Sequence, residues 1–152
     1  MLFGEGQHIY LIEIAAKKGN YKAMNQDNKK TMKQWNKEAI AQWFQGLQDD
    51  ICGQLEAADG GGKFLEDRWQ RPGGGGGRSR VIAGKHIEKG GVNFSAVHGE
   101  LSEQASKNLG IKPGNFFATG VSIVLHPGNP HVPIIHMNVR YFELDAETWW
   151  FG

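Results

Sequence analysis

Two stretches decide the fold: Phe117-Ala-Thr-Gly-Val-Ser-Ile-Val-Leu-His-Pro127 and Ile134-Ile-His-Met-Asn-Val-Arg-Tyr-Phe-Glu143. In a strand, side chains two apart share a face. Phe117, Thr119, Val121, Ile123 and Leu125 then lie on one side of the first stretch, with Ala118, Gly120, Ser122, Val124 and His126 on the other. In the second, Ile135, Met137, Val139 and Tyr141 oppose Ile134, His136, Asn138, Arg140 and Phe142. Each stretch thus has an apolar face and a face of small, apolar and reactive side chains. The connector Pro127–Pro133 carries three prolines, so it cannot continue a central strand. The pattern predicts an antiparallel pair over Phe117–Leu125 and Ile134–Glu143. Ser122, His126, His136, Asn138 and Arg140 would converge on one surface. A plain solvated face is the alternative, but two histidines with Asn and Arg, and no Lys or Glu, are poor composition for solvation alone.

Further upstream, Phe64–Gln70, Arg80–Ala83 and Gly91–Val97 read as shorter strands broken by glycine. Ser102–Leu109 is the one polar segment here that admits a helix. Before Gly62 the period is helical. Trp35, Ile40, Trp43, Phe44, Leu47, Ile51 and Leu55 draw one apolar stripe. Thr31 and Gln34 have capping-box spacing, and Asp59-Gly60-Gly61-Gly62 supplies the stop. A stripe at helical spacing reads as core. Cys52 lies beside it with no nearby His or cation in sequence, which favours packing over nucleophilic chemistry. A helix followed by a run of antiparallel strands is an α+β pattern.

The whole chain of 152 residues has room for one domain, and its net charge of +1 argues against a nucleic-acid or anionic-membrane binder. Hydrophobic residues at 39% and aromatics at 11% exclude a disordered chain. With Cys52 alone there is no intrachain disulfide; a reducing, cytoplasmic location is the expectation. The longest apolar run, Ile9–Ala16, is short and interrupted by Glu13, and matches neither a membrane span nor a signal peptide. Residues 1–30 read as a weakly patterned leader in which His8 stands alone.

Glycine is in excess, at 22 residues with no collagen period. Its densest run, Arg71-Pro-Gly-Gly-Gly-Gly-Gly-Arg-Ser-Arg80, reads equally as a flexible linker or as an anion-binding loop flanked by guanidinium groups. It is not a P-loop, since no Gly-Lys-Ser/Thr follows.

Five ordered blocks carry a resemblance. They are Trp69-Gln-Arg-Pro-Gly-Gly-Gly-Gly-Gly-Arg-Ser-Arg-Val-Ile82, Glu88-Lys-Gly-Gly-Val-Asn-Phe-Ser95, the Phe117–Pro127 stretch with Asn129-Pro130, His136-Met-Asn-Val-Arg-Tyr-Phe-Glu143, and Trp149-Trp-Phe-Gly152. From about Ala41 to Gly152 the sequence closely resembles oxygen-dependent coproporphyrinogen-III oxidases. The resemblance implies part of a broad, flat antiparallel sheet flanked by helices, and a homodimer. It implies oxidative decarboxylation of two propionates of coproporphyrinogen III to vinyls, giving protoporphyrinogen IX in haem synthesis. Molecular oxygen would be the co-substrate, with no flavin, haem or nicotinamide.

Carried over residue by residue, Ser122 matches a substrate-contacting serine and Asn138-Val139-Arg140 a substrate-binding tripeptide. His136 matches the proton donor, and His126 and His136 match positions assigned to a divalent metal. The physics agrees with these roles, since a guanidinium takes a carboxylate by a forked contact and an imidazole suits proton transfer. Family members run on for about as long again, so residues 31–152 are expected to be an amino-terminal half that is inactive alone. The carboxy-terminal aromatics Trp149–Phe151 are then expected against a partner or folded back on their own sheet. Two further readings are a non-catalytic fragment holding an anionic tetrapyrrole or a metal, and a different metal enzyme using His126 and His136. The absence of His-Glu-x-x-His weighs against the last.

Overall fold

The structure, a computed structural model, describes residues 36–152. The proposed leader, Trp35 and the Thr31–Gln34 capping box lie outside the described residues. The larger unit comprises Asn36–Gly99 and Phe116–Gly152. It holds one long helix, α1 (Lys37–Asp59), and the strands β1 (Leu65–Gln70), β2 (Gly75–Ile82), β3 (Ile87–Glu100), β4 (Asn115–Pro127), β5 (Ile135–Glu143) and β6 (Trp149–Phe151). The strands form one sheet in the order of the chain, β1-β2-β3-β4-β5-β6. This is the expected α+β pattern. Glu100–Asn115, including the last residue of β3 and the first of β4, belong to a second unit, where α2 (Glu103–Leu109) is capped by the Ser102 hydroxyl, which accepts from the Ala105 N–H at 3.2 Å.

The N-cap of α1 is Asn36, whose Oδ1 accepts from the Ala39 N–H at 2.7 Å. The helix thus starts later than the Thr31 spacing suggests. The side chains facing the sheet are Ile40, Phe44, Gln48 and Cys52, one every fourth residue. They pack with Val92 and Phe94 of β3, Val121, Ile123 and Leu125 of β4, and Tyr141 of β5. Leu47, Ile51 and Leu55 flank this line, while Trp43 is 55% exposed and lies outside the core. Burial pushes the Cys52 thiol up, in keeping with a packing role.

Gln48 is fully buried, which is possible because its polar atoms are all used. Its Nε2 donates to the Arg78 and Val92 carbonyls, both at 2.8 Å, and its Oε1 accepts from Arg78 Nε at 2.7 Å. Arg78 also reaches the Gln45 carbonyl and Asp49. Beside it, Arg80 pairs with Asp49 and Glu66. Two of the three arginines of the glycine-rich motif, Arg78 and Arg80, are therefore structural. From Gly75 the run is a paired strand rather than a flexible linker, and Arg78 and Arg80 are engaged by carboxylates of the chain itself.

The glycines themselves turn and thin the chain. Arg71–Gly74 form a turn with Pro72 at its second position, closed by Gly74 N–H donating to the Arg71 carbonyl at 2.9 Å. Gly74 and Gly75 follow at φ 111° and 82°, a region other residues rarely enter. From Gly75 the run is strand β2, paired to β1 and β3.

The predicted helix stop has a second function. Gly60 caps α1 at φ 70°, and Asp59 turns back to accept from the N–H groups of Gly62, Lys85, His86 and Ile87 at 2.7–2.8 Å. These donors, led by the Ile87 N–H, hold its carboxyl far below the usual carboxylate range. A depressed native pKa stabilises above the unfolded value of about 3.9 and loses that contribution as pH falls through the native value. Asp59→Asn should therefore lower the melting temperature at neutral pH, since its NH2 would face backbone donors. The gap between wild type and variant should narrow as pH drops below about 4. Thermal melts between pH 7 and pH 3 check this; a gap that stays constant would refute it.

Trp149–Phe151 pair antiparallel to β5 in the register Tyr141↔Phe151, Phe142↔Trp150 and Glu143↔Trp149. The terminal aromatics are thus folded back on their own sheet. Trp149 packs on the core, and Trp150 stacks on Phe142 with ring centroids 4.2 Å apart.

Candidate functional site

The β4–β5 hairpin forms in the register read from its alternation. Ser122 lies opposite Asn138, Gly120 opposite Arg140, and Val124 opposite His136. On the other side, Val121↔Val139 and Thr119↔Tyr141 face α1. A slip of one residue would reverse every side chain, so the hydrophobic set fixes the reactive set. Strand β5 begins at Ile135 rather than Ile134. Ser122, His126, Asn138 and Arg140 are half-buried, and His136 is exposed.

Of the residues singled out in the sequence, Ser122, His126, His136, Asn138 and Arg140 share the sheet face turned away from α1. Val139 does not. Its side chain packs with the core cluster, so only its backbone is open to a ligand on the site face. His126 is the diagonal neighbour of His136, a relation that sets positions about 7–8 Å apart. A metal site needs three or more donors, and the described residues contain no group of three or more His, Cys, Asp or Glu able to hold an ion. Among the described residues, His126 and His136 do not by themselves fit a complete metal site.

Arg140 is the distinctive charge of this face. Burial lowers its pKa, and none of the ion pairs among the described residues involves it, whereas Arg68, Arg78 and Arg80 all pair with carboxylates. Its backbone is held by a reciprocal pair, with Arg140 N–H donating to the Gly152 carbonyl at 2.6 Å and Gly152 N–H to the Arg140 carbonyl at 2.8 Å. Opposite it, Gly120 leaves room, for a Cβ there would run into the Val139 carbonyl. The result is a half-desolvated cation on one face with the Ser122 hydroxyl and the Asn138 amide, with the His136 imidazole farther along β5. A guanidinium with a hydroxyl and an amide nearby is the donor set that suits a carboxylate, and an imidazole suits proton transfer.

The sequence matches the coproporphyrinogen III oxidase family over residues 39–152. The chain belongs to that family. Among its relatives are the oxygen-dependent coproporphyrinogen-III oxidases of Prochlorococcus marinus strain NATL1A, 58% identical over 109 residues, and strain MIT 9313, 56% identical over 110 residues. That of Synechococcus sp. strain CC9902 is also 56% identical over 110 residues. Each match covers 70% of this chain and 30–31% of the relative, so the aligned part spans about a third of the length of these oxidases.

One feature of the site face was not legible in the residue pattern. Trp69 of β1 lies on it, with its indole over Gly77 of β2, where a Cβ would run into the ring. The signal was present in the oxidase-like block Trp69–Ile82. Only the cross-strand register shows which glycine of five the indole uses. No helix among the described residues is long and apolar enough to cross a membrane.

Proposed function

We propose that this chain forms the carboxylate-binding and proton-transferring face of an oxygen-dependent coproporphyrinogen-III oxidase. The observation that carries the reading is Arg140, a half-buried guanidinium without a carboxylate partner among the described residues, on one face with Ser122, Asn138 and His136. The reaction takes a propionate on a pyrrole ring to a vinyl. The bond to the carboxylate breaks and its electron pair becomes the new double bond, as carbon dioxide leaves. A hydride equivalent departs from the carbon next to the ring, and its two electrons pass through the electron-rich tetrapyrrole to dioxygen, which takes up protons to give peroxide. On this reading Arg140 holds a propionate by a forked contact, with Ser122 and Asn138 fixing its rotation. His136 carries the proton at the exposed end of the face.

Titration of the chain with coproporphyrin III, the stable oxidised macrocycle, followed by its visible absorbance, tests carboxylate recognition. The free acid should shift on binding and its tetramethyl ester should not. Equal binding of acid and ester would refute the reading, because apolar contact would then suffice.

A further inference from the structure

We infer that Trp69 is a specificity-determining wall of this face, against which one pyrrole of the macrocycle rests while a propionate reaches Arg140; the inference rests on the reading above. The argument is one of register. Trp69 pairs with Gly77, and Gly77 with Ser95. The Thr119 hydroxyl donates to the Ser95 carbonyl at 2.8 Å, which sets Ser95 beside the part of β4 where Gly120 faces Arg140. A single transverse row therefore crosses five strands: Trp69, Gly77, Ser95, Gly120, Arg140. Its ends are an indole and a guanidinium, and only glycine and serine lie between.

Four strand spacings of about 4.8 Å put the two ends about 19 Å apart at the backbone. The indole leans across β2 onto Gly77, which shortens the open span to three spacings, about 14 Å. A low row with a π surface at one end and a cation at the other suits a broad, flat, acid-bearing ring system. A single pyrrole bearing propionates would reach Arg140 and fall short of Trp69. The indole is half-buried and seated on a neighbouring strand, so little side-chain freedom is left to lose when a ring packs on it.

Binding of coproporphyrin III and of a monopyrrole dipropionate should be measured by calorimetry on the full chain, on Trp69→Phe and on Trp69→Ala, with Arg140→Leu alongside. Trp69→Ala should weaken coproporphyrin binding about tenfold and leave the monopyrrole unchanged, with Trp69→Phe in between. Equal loss for both ligands, or none for either, would overturn the role of Trp69 while leaving the Arg140 reading intact. If Arg140→Leu binds coproporphyrin as well as wild type, the reading itself fails and the wall with it. Should Trp69→Ala not fold, as judged by circular dichroism, Trp69→Phe carries the same comparison, because it keeps a ring over Gly77.

Discussion

Arg140→Leu is expected to weaken coproporphyrin III binding about a hundredfold or more, since two charge-assisted hydrogen bonds to one carboxylate are lost together. The same substitution should leave the melting temperature unchanged or slightly raised. No ion pair among the described residues involves this guanidinium, and burial already disfavours its charge, so its removal strands no counterion. Leucine keeps an apolar side chain at this half-buried position. Affinity and stability therefore move independently, which is the mark of a group held for a ligand. A titration showing less than about a threefold change would remove Arg140 from the site. A large drop in melting temperature would make it structural.

Arg78→Met should do the reverse, costing about 3 kcal/mol and leaving the chemistry of the site face untouched. The Arg78 side chain is 9% exposed and joins α1 to β2 through Gln48, the Gln45 carbonyl and Asp49. Its loss strands the Gln48 Oε1, which is fully buried and has no route to water. Thermal unfolding should show a fall of about 10 °C. The pair Gln48→Leu with Arg78→Met should recover part of it, because removing both partners leaves fewer orphaned groups than removing one. A double variant worse than the sum of the two singles would refute this account. Arg80→Met should cost less, since its partner Asp49 is 49% exposed and can be solvated.

These two arginines show where the sequence could be read and where it could not. The β4–β5 hairpin was legible because alternation and the prolines between Pro127 and Pro133 constrain it from both sides. Its register followed from which residues must be buried, and with it the shared face of Ser122, His136 and Arg140. The helix was legible as an element, but its buried line was not. Gln48 looks like a surface residue to any hydropathy argument, and Trp43 looks like core. The inversion depends on three hydrogen bonds to residues thirty or more positions away. The glycine run could not be assigned because glycine permits many conformations and demands none. Its meaning comes from Trp69 above Gly77 and from the carboxylates that meet Arg78 and Arg80, all of them supplied by other elements.

The strand order, β1 to β6 in unbroken sequence, bears on how the molecule comes to be folded. Each strand adds to the one made just before it, so the sheet has low contact order and can grow hairpin by hairpin as the chain is synthesised. Helix α1 is the exception. It is made before every strand, yet Phe44 meets Phe151 near the other end of the sequence. Strands β2 and β3 cover part of its buried line, and the cover is completed only when β4, β5 and β6 arrive. During synthesis the part of this helix that meets β4, β5 and β6 is apolar surface exposed for the longest time.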